Sequence, residues 1–333
     1  MNNNILIKQI EYDSSRCSEI LKKSKYLYTT KMWMDFLILD LSIKPYVLEI
    51  KAFGGECFFV SFIFKKMGFY FCGSPFEGWS TPFMGYIWLS EWSTEQKKKI
   101  LKATKKFIFK TTKCVYIQIS DWDITVNQAK DMKLKHYIVK TPIIDISRSE
   151  EEMFSSFKVD VRTNCRNFEK RGGVFCRIEP SLRFSSEHYK QLIDVFDKQN
   201  MNVPYHQKKI DNLMNIFSYY PQNIICEEVL EPENNNSIAS GIFLLYKDYC
   251  YFFGAASYRQ YQLLRPNEYI IWKAILEAKE KGCNCFDMCG VRKYKEKFMP
   301  QIDSHPVFYF EKLPFLYQLK KIFKKREMSK RGK

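Results

Sequence analysis

The stretch LLRPNEYIIWKAILEAKEKGCNCFDMCG, Leu263–Gly290, reads as a helix followed at once by a strand. Asn267 suits an N-cap, and Glu268 puts negative charge in the first turn, where unpaired N–H groups favour it. Ile271, Ala274, Ile275 and Ala278 recur at the spacing of one buried helical face. Gly282 supplies a left-handed stop. The following CNCFDMCG reads as a short strand whose acid, Asp287, lies at its carboxyl end. A helix mouth carries partial positive charge and free N–H groups, and Arg265 adds to it, so an anion is expected there.

The same alternation extends outward. Residues 45–90 hold aromatic and β-branched runs cut by Gly54-Gly55 and by KKMG at 65–68, the pattern of consecutive strands. SPFEGWSTPFMGYIW then reads as a loop with exposed-type aromatics, whose Phe76, Trp79 and Phe83 either stack on a sugar or form a hydrophobic lid over the first unit. Ser93 and Gln96 make a capping box for a helix buried through Ile100, Leu101, Phe107 and Ile108. A strand at 113–120, a short helix near 125–133 and the strand KHYIVKTPIIDIS follow. Beyond Arg148, Met153, Phe154, Phe157, Val161, Cys165 and Phe168 mark one helix, stopped by Gly172-Gly173. VFCRIEP is a strand, and helical patterns cover 187–199 and 207–217. NIICEEVLE, SIASGIFLLYK and DYCYFFGAAS are strands, the last two joined by a hairpin turn at Lys247-Asp248, and HPVFYFEK is the final strand. The fold class is α/β in the broad sense, with segregated α+β character. Two tandem units, 1–147 and 148–333, each hold a mixed, mostly antiparallel sheet flanked by helices.

The 333 residues are 46% hydrophobic and 17% aromatic, which excludes a disordered chain. The net charge of +16 favours an anionic partner such as a nucleic acid, a phosphorylated cofactor or an anionic membrane, and is equally compatible with a plain basic protein. Residues 318–333, QLKKIFKKREMSKRGK, carry eight Lys/Arg and one Glu. They read either as a solvated helix end or as a peripheral contact with an anionic membrane. Eleven cysteines, an odd number with no CxxC pair, point to free thiols in a reducing compartment. No secretory signal pattern opens the chain and no apolar run reaches membrane-spanning length, so a cytoplasmic location is expected, at the inner face of the membrane if the tail binds there.

Few common chemistries find their residues. Four histidines lie in separate segments, and Cys283, Cys285 and Cys289 match no zinc spacing, so no metal is expected. Neither a G-x-S-x-G elbow nor a phosphate-binding glycine loop is present. Lys158, Arg162, Arg166 and Lys170 fall on one helical face, which reads as a solvated stripe or as a rail for phosphates.

The order of three elements resembles the Fem-type branch of the GNAT superfamily of N-acyltransferases. VRTNCRNFEKRGGV is similar to that branch's basic helix end. GAASYRQYQLLRPNEYIIWKAILEAKEKGCNCFDMCG is similar to its strand, loop, P-N helix and D-x-x-G strand. YKEKFMP is similar to its Phe-Lys-x-x-Phe-Gly element, and the first half resembles the partner domain. The resemblance implies two GNAT-like domains with a substrate cleft at or near their junction. It implies transfer of an acyl or aminoacyl group to an amine of a sugar, peptidoglycan or other cell-envelope precursor. Acyl-CoA or aminoacyl-tRNA would be the co-substrate. SYRQYQLLRPN holds no glycine where the superfamily cradles the coenzyme A pyrophosphate, which leaves room for a tRNA donor. Lys295 matches the lysine of the Phe-Lys element, and Asp287 the strand-end acid. Asp287, Lys295, Tyr294 and Glu268 are therefore the candidate catalytic residues. Arg162, Arg166, Arg265, Asn267, Trp79 and Tyr258 are the candidate substrate- or phosphate-binding residues. The competing expectation is a catalytically degenerate relative that binds RNA or an anionic membrane surface.

Overall fold

The computed structural model describes residues 4–197, 199–231 and 235–313. Described residues up to Lys140 and from Ser304 onward form one compact unit, and Thr141–Asp303 form the other. The units do not follow a single cut of the chain, because the last strand rejoins the first unit.

In the first unit β1 (Leu6–Ile10), α1 (Ser15–Leu21) and α2 (Lys31–Leu41) precede an antiparallel meander of β2 (Lys44–Ala52), β3 (Gly55–Lys66) and β4 (Phe69–Ser74). Phe53 and Gly54 both take positive φ, 52° and 82°, the geometry of the tight turn that joins twisted strands. β5 (Gly85–Trp88) pairs with β3, so the stretch expected to be loop ends as a strand. α3 (Thr94–Thr111) has the Ser93–Gln96 capping box, and it buries Ile100, Leu101 and Ile108. β6 (Cys114–Ser120) runs parallel to β4, α4 (Val126–Met132) follows, and β7 (His136–Asp145) leads towards the second unit.

Of the two readings of the aromatic loop in this unit, burial favours the hydrophobic lid over the sugar platform. Phe76, Trp79 and Phe83 are 7%, 5% and 0% exposed. Trp79 packs edge-on against Phe62 and Phe64, with ring centroids 5.7 Å and 5.3 Å away. The glycines and prolines fold the loop back over the sheet, because apolar rings gain more from burial than from water. Trp79 is a core residue and offers no face to a sugar.

The second unit opens with α5 (Glu150–Ser156) and α6 (Val159–Lys170) where one helix was expected. Phe157 and Lys158 are extended, with ψ 154° and 151°, and break it. The apolar spacing survives the break because Phe157 still packs on Trp272 and Phe298. β8 (Val174–Ile178), α7 (Leu182–Asp197), α8 (Gln207–Phe217), β9 (Ile224–Leu230), β10 (Ser237–Tyr246), β11 (Tyr249–Ser257), α9 (Pro266–Glu280) and β12 (Cys285–Asp287) follow. The strand order in this unit is β7-β12-β11-β10-β9-β8. Among the described residues of this unit only β11 and β12 run parallel, over Tyr249–Tyr251 and Cys285–Asp287. α9 lies on this sheet and buries Ile271, Ala274, Ile275 and Ala278. Each large aliphatic side chain so removed from water contributes about 1.5–3 kcal/mol. β13 (Gln301–Glu311) closes the described chain, and its Val307–Glu311 pairs with β6 in the first unit.

Candidate functional site

The site grows from the end of β12. Asp287 is 0% exposed. Its Oδ1 accepts hydrogen bonds from the Thr141 hydroxyl and from the Cys289 amide, the latter at 2.8 Å. Its Oδ2 is buried and has no hydrogen-bond partner. Burial pushes its pKa up to about 6, while Thr141, the Cys289 N–H and the charge of Lys295 pull the other way. A bare carboxylate oxygen with that affinity can take a proton near neutral pH.

The loop after Asp287 is held from both sides. Cys289 sits at φ 52° and Gly290 at 83°, a left-handed turn that only the glycine adopts without strain. Lys295 is 3% exposed, and its ammonium donates to the carbonyls of Met288, Cys289 and Gly290, the last two at 2.9 Å and 3.2 Å. It also lies 4.8 Å from the centroid of the Phe252 ring on β11. Burial lowers its pKa to about 8. Three donors on three carbonyls make Lys295 the clamp of this turn. Asp287 and Lys295, eight positions apart in the sequence, thus meet around one turn.

Beside this turn the sheet opens. β12 ends at Asp287, level with Tyr251, while β11 runs on to Ser257. Phe252–Ser257 therefore pairs with no strand on that edge among the described residues. A register shift opposite Ile242/Phe243 adds a bulge in the same stretch, and Phe253–Ala255 are half-buried where their neighbours are buried. Unpaired strand N–H and C=O groups next to a buried carboxylate form a ready edge for an extended ligand.

This fork between parallel strands, one carrying a bulge, and the helix between them match known folds. The structure superposes on FemX with a TM-score of 0.73 at 14% identity, covering 94% of this chain and 99% of that one. The fold is GNAT-like, of the Fem type. The C-terminal domain of a putative lysylphosphatidylglycerol synthetase from Agrobacterium fabrum shares the fold at TM-score 0.54 and 10% identity, over 88% of this chain and 90% of that one. A tandem GNAT protein from the clavulanic acid biosynthesis pathway does so at TM-score 0.51 and 4% identity, over 92% and 98%. No protein-family model matches the sequence, and no curated protein matches it.

Within the Fem-type fold the other sequence candidates scatter. Glu268 is 6% exposed and forms an ion pair with Lys297, so its charge is already spent. Tyr294 lies beside Lys295 but is 48% exposed. Asn267 is not the N-cap: α9 begins at Pro266, and Arg265, left-handed at φ 56°, precedes it. Proline lacks the N–H that a helix start leaves unpaired, so it takes the first position. Asn267 instead donates from Nδ2 to Ser257 Oγ at 2.9 Å and ties α9 to the end of β11. Arg265 is exposed at that mouth.

Arg162 and Arg166 sit on α6. Arg162 is half-buried, with Nε lacking a hydrogen-bond partner, and the Arg166 guanidinium lies 5.3 Å over the Phe154 ring. Tyr258 donates to Glu187 at 2.9 Å and lines a polar cleft of about 380 Å³ with Arg183, Asn236 and Tyr261. Burial and Glu187 raise its pKa, so the hydroxyl keeps its proton. Sequence reading missed Arg183 because it set the start of α7 at Glu187. It also missed Thr141, which reaches Asp287 only through the pairing of β7 with β12. Among the described residues no group of three or more His, Cys, Asp or Glu side chains could hold a metal, and no helix is long and apolar enough to cross a membrane.

Proposed function

We propose that this protein is an N-acyltransferase that moves an acyl or aminoacyl group from a thioester or ester donor to an amine of a cell-envelope precursor. The observation that carries this reading is the open edge of β11, Phe252–Ser257, beside the bare Oδ2 of Asp287. Likeness to FemX and to a lysylphosphatidylglycerol synthetase domain supports it. The donor lies extended along β11, and strand N–H groups stabilise the oxyanion that forms as the amine attacks its carbonyl. Asp287 takes the proton that the amine loses. Lys295 keeps the turn after Asp287 in place and adds positive charge near the developing anion. Tyr294, exposed next to it, can return a proton to the leaving group. Arg162, Arg166 and Arg265 offer cationic contacts to donor phosphates, and the polar cleft at Tyr258 takes the polar body of the acceptor. With no glycine cradle before α9, aminoacyl-tRNA is the favoured donor over acyl-CoA.

The test is transfer from aminoacyl-tRNA and from acyl-CoA to amine acceptors by the purified full chain. Asp287→Ala should lower turnover about 100-fold or more with thermal unfolding still cooperative. An unchanged rate in that variant would refute the role of Asp287. No transfer from either donor, together with tight, salt-sensitive RNA or anionic-vesicle binding, would establish the degenerate binding protein instead.

A further inference from the structure

The stretch QKKKILKATKKFIFKTTK, residues 96–113, holds eight lysines and no acid. Most of it is α3, in the first unit. At about 100° per residue, Lys99, Lys102, Lys106 and Lys110 fall within about 80° of one another around the helix. The buried Ile100, Leu101, Thr104 and Ile108 lie on the opposite side, so the four lysines run along the outermost line of α3. All four are exposed. The remaining helix lysines are engaged locally. Lys97 donates to the Asp123 carbonyl at 2.7 Å, Lys98 pairs with Glu95 at 3.4 Å, and Lys105 lies 5.6 Å from the centroid of the Phe310 ring. Lys99 lies 5.9 Å from the Phe53 ring, and none of the four forms a salt bridge among the described residues. Such a line is unfavourable for the helix itself. Lys102 and Lys106, and Lys106 and Lys110, are like charges four positions apart, which repel. Only Lys110 stands in the last turn, where a cation is favoured. An anionic partner outside the chain removes that repulsion.

The kind of anion follows from what accompanies the lysines. A nucleic-acid surface sets arginine forks or stacking rings among its cations. Residues 1–140 hold one arginine, Arg16, and it is bound to Glu49 and Glu56. Phe109 flanks the line but is half-buried, with the Lys312 ammonium 5.2 Å over its ring. Lysine point charges on a straight ridge suit the diffuse negative charge of lipid head groups. The course of the chain points the same way. Lys312 donates from Nζ to the Phe109 carbonyl and from its amide to the Val115 carbonyl, both at 2.9 Å. The described residues end at Leu313, so the segment that follows leaves the fold beside the C-terminal end of α3. Its sequence mixes eight Lys/Arg with Phe315, Leu316, Tyr317, Leu319, Ile322 and Phe323. Basic and apolar side chains together are the composition of an interfacial segment.

We propose that the outer face of α3 docks the protein on an anionic lipid bilayer, with Lys99, Lys102, Lys106 and Lys110 against the head groups. The contact is electrostatic and shallow. The apolar side of α3 is already buried in the core, so the helix lies on the head groups and does not enter the acyl region. This face takes no part in the acyl-transfer steps and does not depend on them.

Co-sedimentation of the full chain with mixed phosphatidylglycerol–phosphatidylcholine vesicles tests this, with pure phosphatidylcholine vesicles as control. The native chain should bind the first at low salt, leave them at high salt and ignore the second. The variant Lys99→Gln/Lys102→Gln/Lys106→Gln/Lys110→Gln keeps good helix formers on an exposed line and should fold. At about 1 kcal/mol, or about fivefold, per lysine, it should bind the anionic vesicles on the order of 100-fold more weakly. A matched variant with glutamine for Lys22, Lys23, Lys208 and Lys281, all exposed on other elements, should lose less than about tenfold. Undiminished binding in the first variant, or an equal loss in both, would overturn the face. A footprint on the native chain needs no variant. Anionic vesicles should shield the four α3 lysines from amine acylation while Lys23 and Lys208 stay reactive, and four unshielded lysines would overturn the proposal. Duplex RNA binding that needs the four lysines, beside vesicle binding that does not, would give the stripe to RNA instead. Turnover with a soluble amine, measured in parallel, keeps the two ideas apart. Vesicle docking without turnover removes the acyl-transfer reading and spares the face, and turnover without docking does the reverse.

Discussion

At the scale of single residues, Asp287 is the group whose environment has the most measurable consequences. Its carboxyl binds a proton more tightly in the folded chain, at about 6, than at its ordinary value of 3.8. The stability this lends is complete below the ordinary value and is lost as pH rises through about 6. Asp287→Asn keeps the shape and removes the titration. The stability of the variant relative to the native chain should therefore improve by about 2 kcal/mol between pH 4 and pH 7, read from denaturant unfolding at both. A difference that does not change with pH would show that Asp287 is not buried as described. The turnover should rise as Asp287 ionises through about 6 and fall as Lys295 loses its proton through about 8. Neutral Lys295 has two hydrogens for three carbonyls, so the turn after Asp287 loosens on the alkaline side. A rate that is flat from about pH 5 to pH 9 would remove both groups from the reaction.

At the scale of elements, the stop of α6 shows how a close approach and a backbone angle differ in cost. Gly172 has φ 75°, and an alanine there pays about 1 kcal/mol for the left-handed conformation. Gly173 has no such angle, but an added methyl would fall 2.0 Å from the Phe168 ring, which is buried against Tyr269. Gly173→Ala must displace that ring and should cost about 2 kcal/mol or more, exceeding Gly172→Ala. Urea midpoints of the two variants decide the order. The Gly-Gly stop was legible in the sequence; which glycine matters more was not, because the ring that crowds Gly173 reaches it through tertiary packing. The break between α5 and α6 was hidden for a related reason. Phe157 keeps the apolar spacing while leaving the helix, so periodicity reads straight across it.

At the scale of the whole molecule, charge and fold are separate matters. Residues 318–333 supply eight Lys/Arg and one Glu to a chain of net charge +16, and they lie outside the described residues. If this segment is the contact with an anionic membrane, its deletion should weaken binding to phosphatidylglycerol vesicles by tenfold or more at low salt, at about 1 kcal/mol per basic residue near the surface. Binding that survives the deletion would move the contact to the folded units.

The sequence by itself determined most elements of the second unit and their order, though it read α5 and α6 as one helix and could not place the last strand in the first unit. It also determined the strand-end position of Asp287 and the order of motifs that resembles the Fem-type branch. These are local signals: periodicity, glycine stops, caps and turn residues, each set within a few positions of chain. The tertiary structure alone decided which candidates meet. It buried Trp79, paired Glu268 with Lys297, closed Lys295 on three carbonyls and brought Thr141 to Asp287. It also left Oδ2 of Asp287 without a partner. Strand register and packing place those groups together from distant positions, and neither leaves a mark in the local pattern of residues.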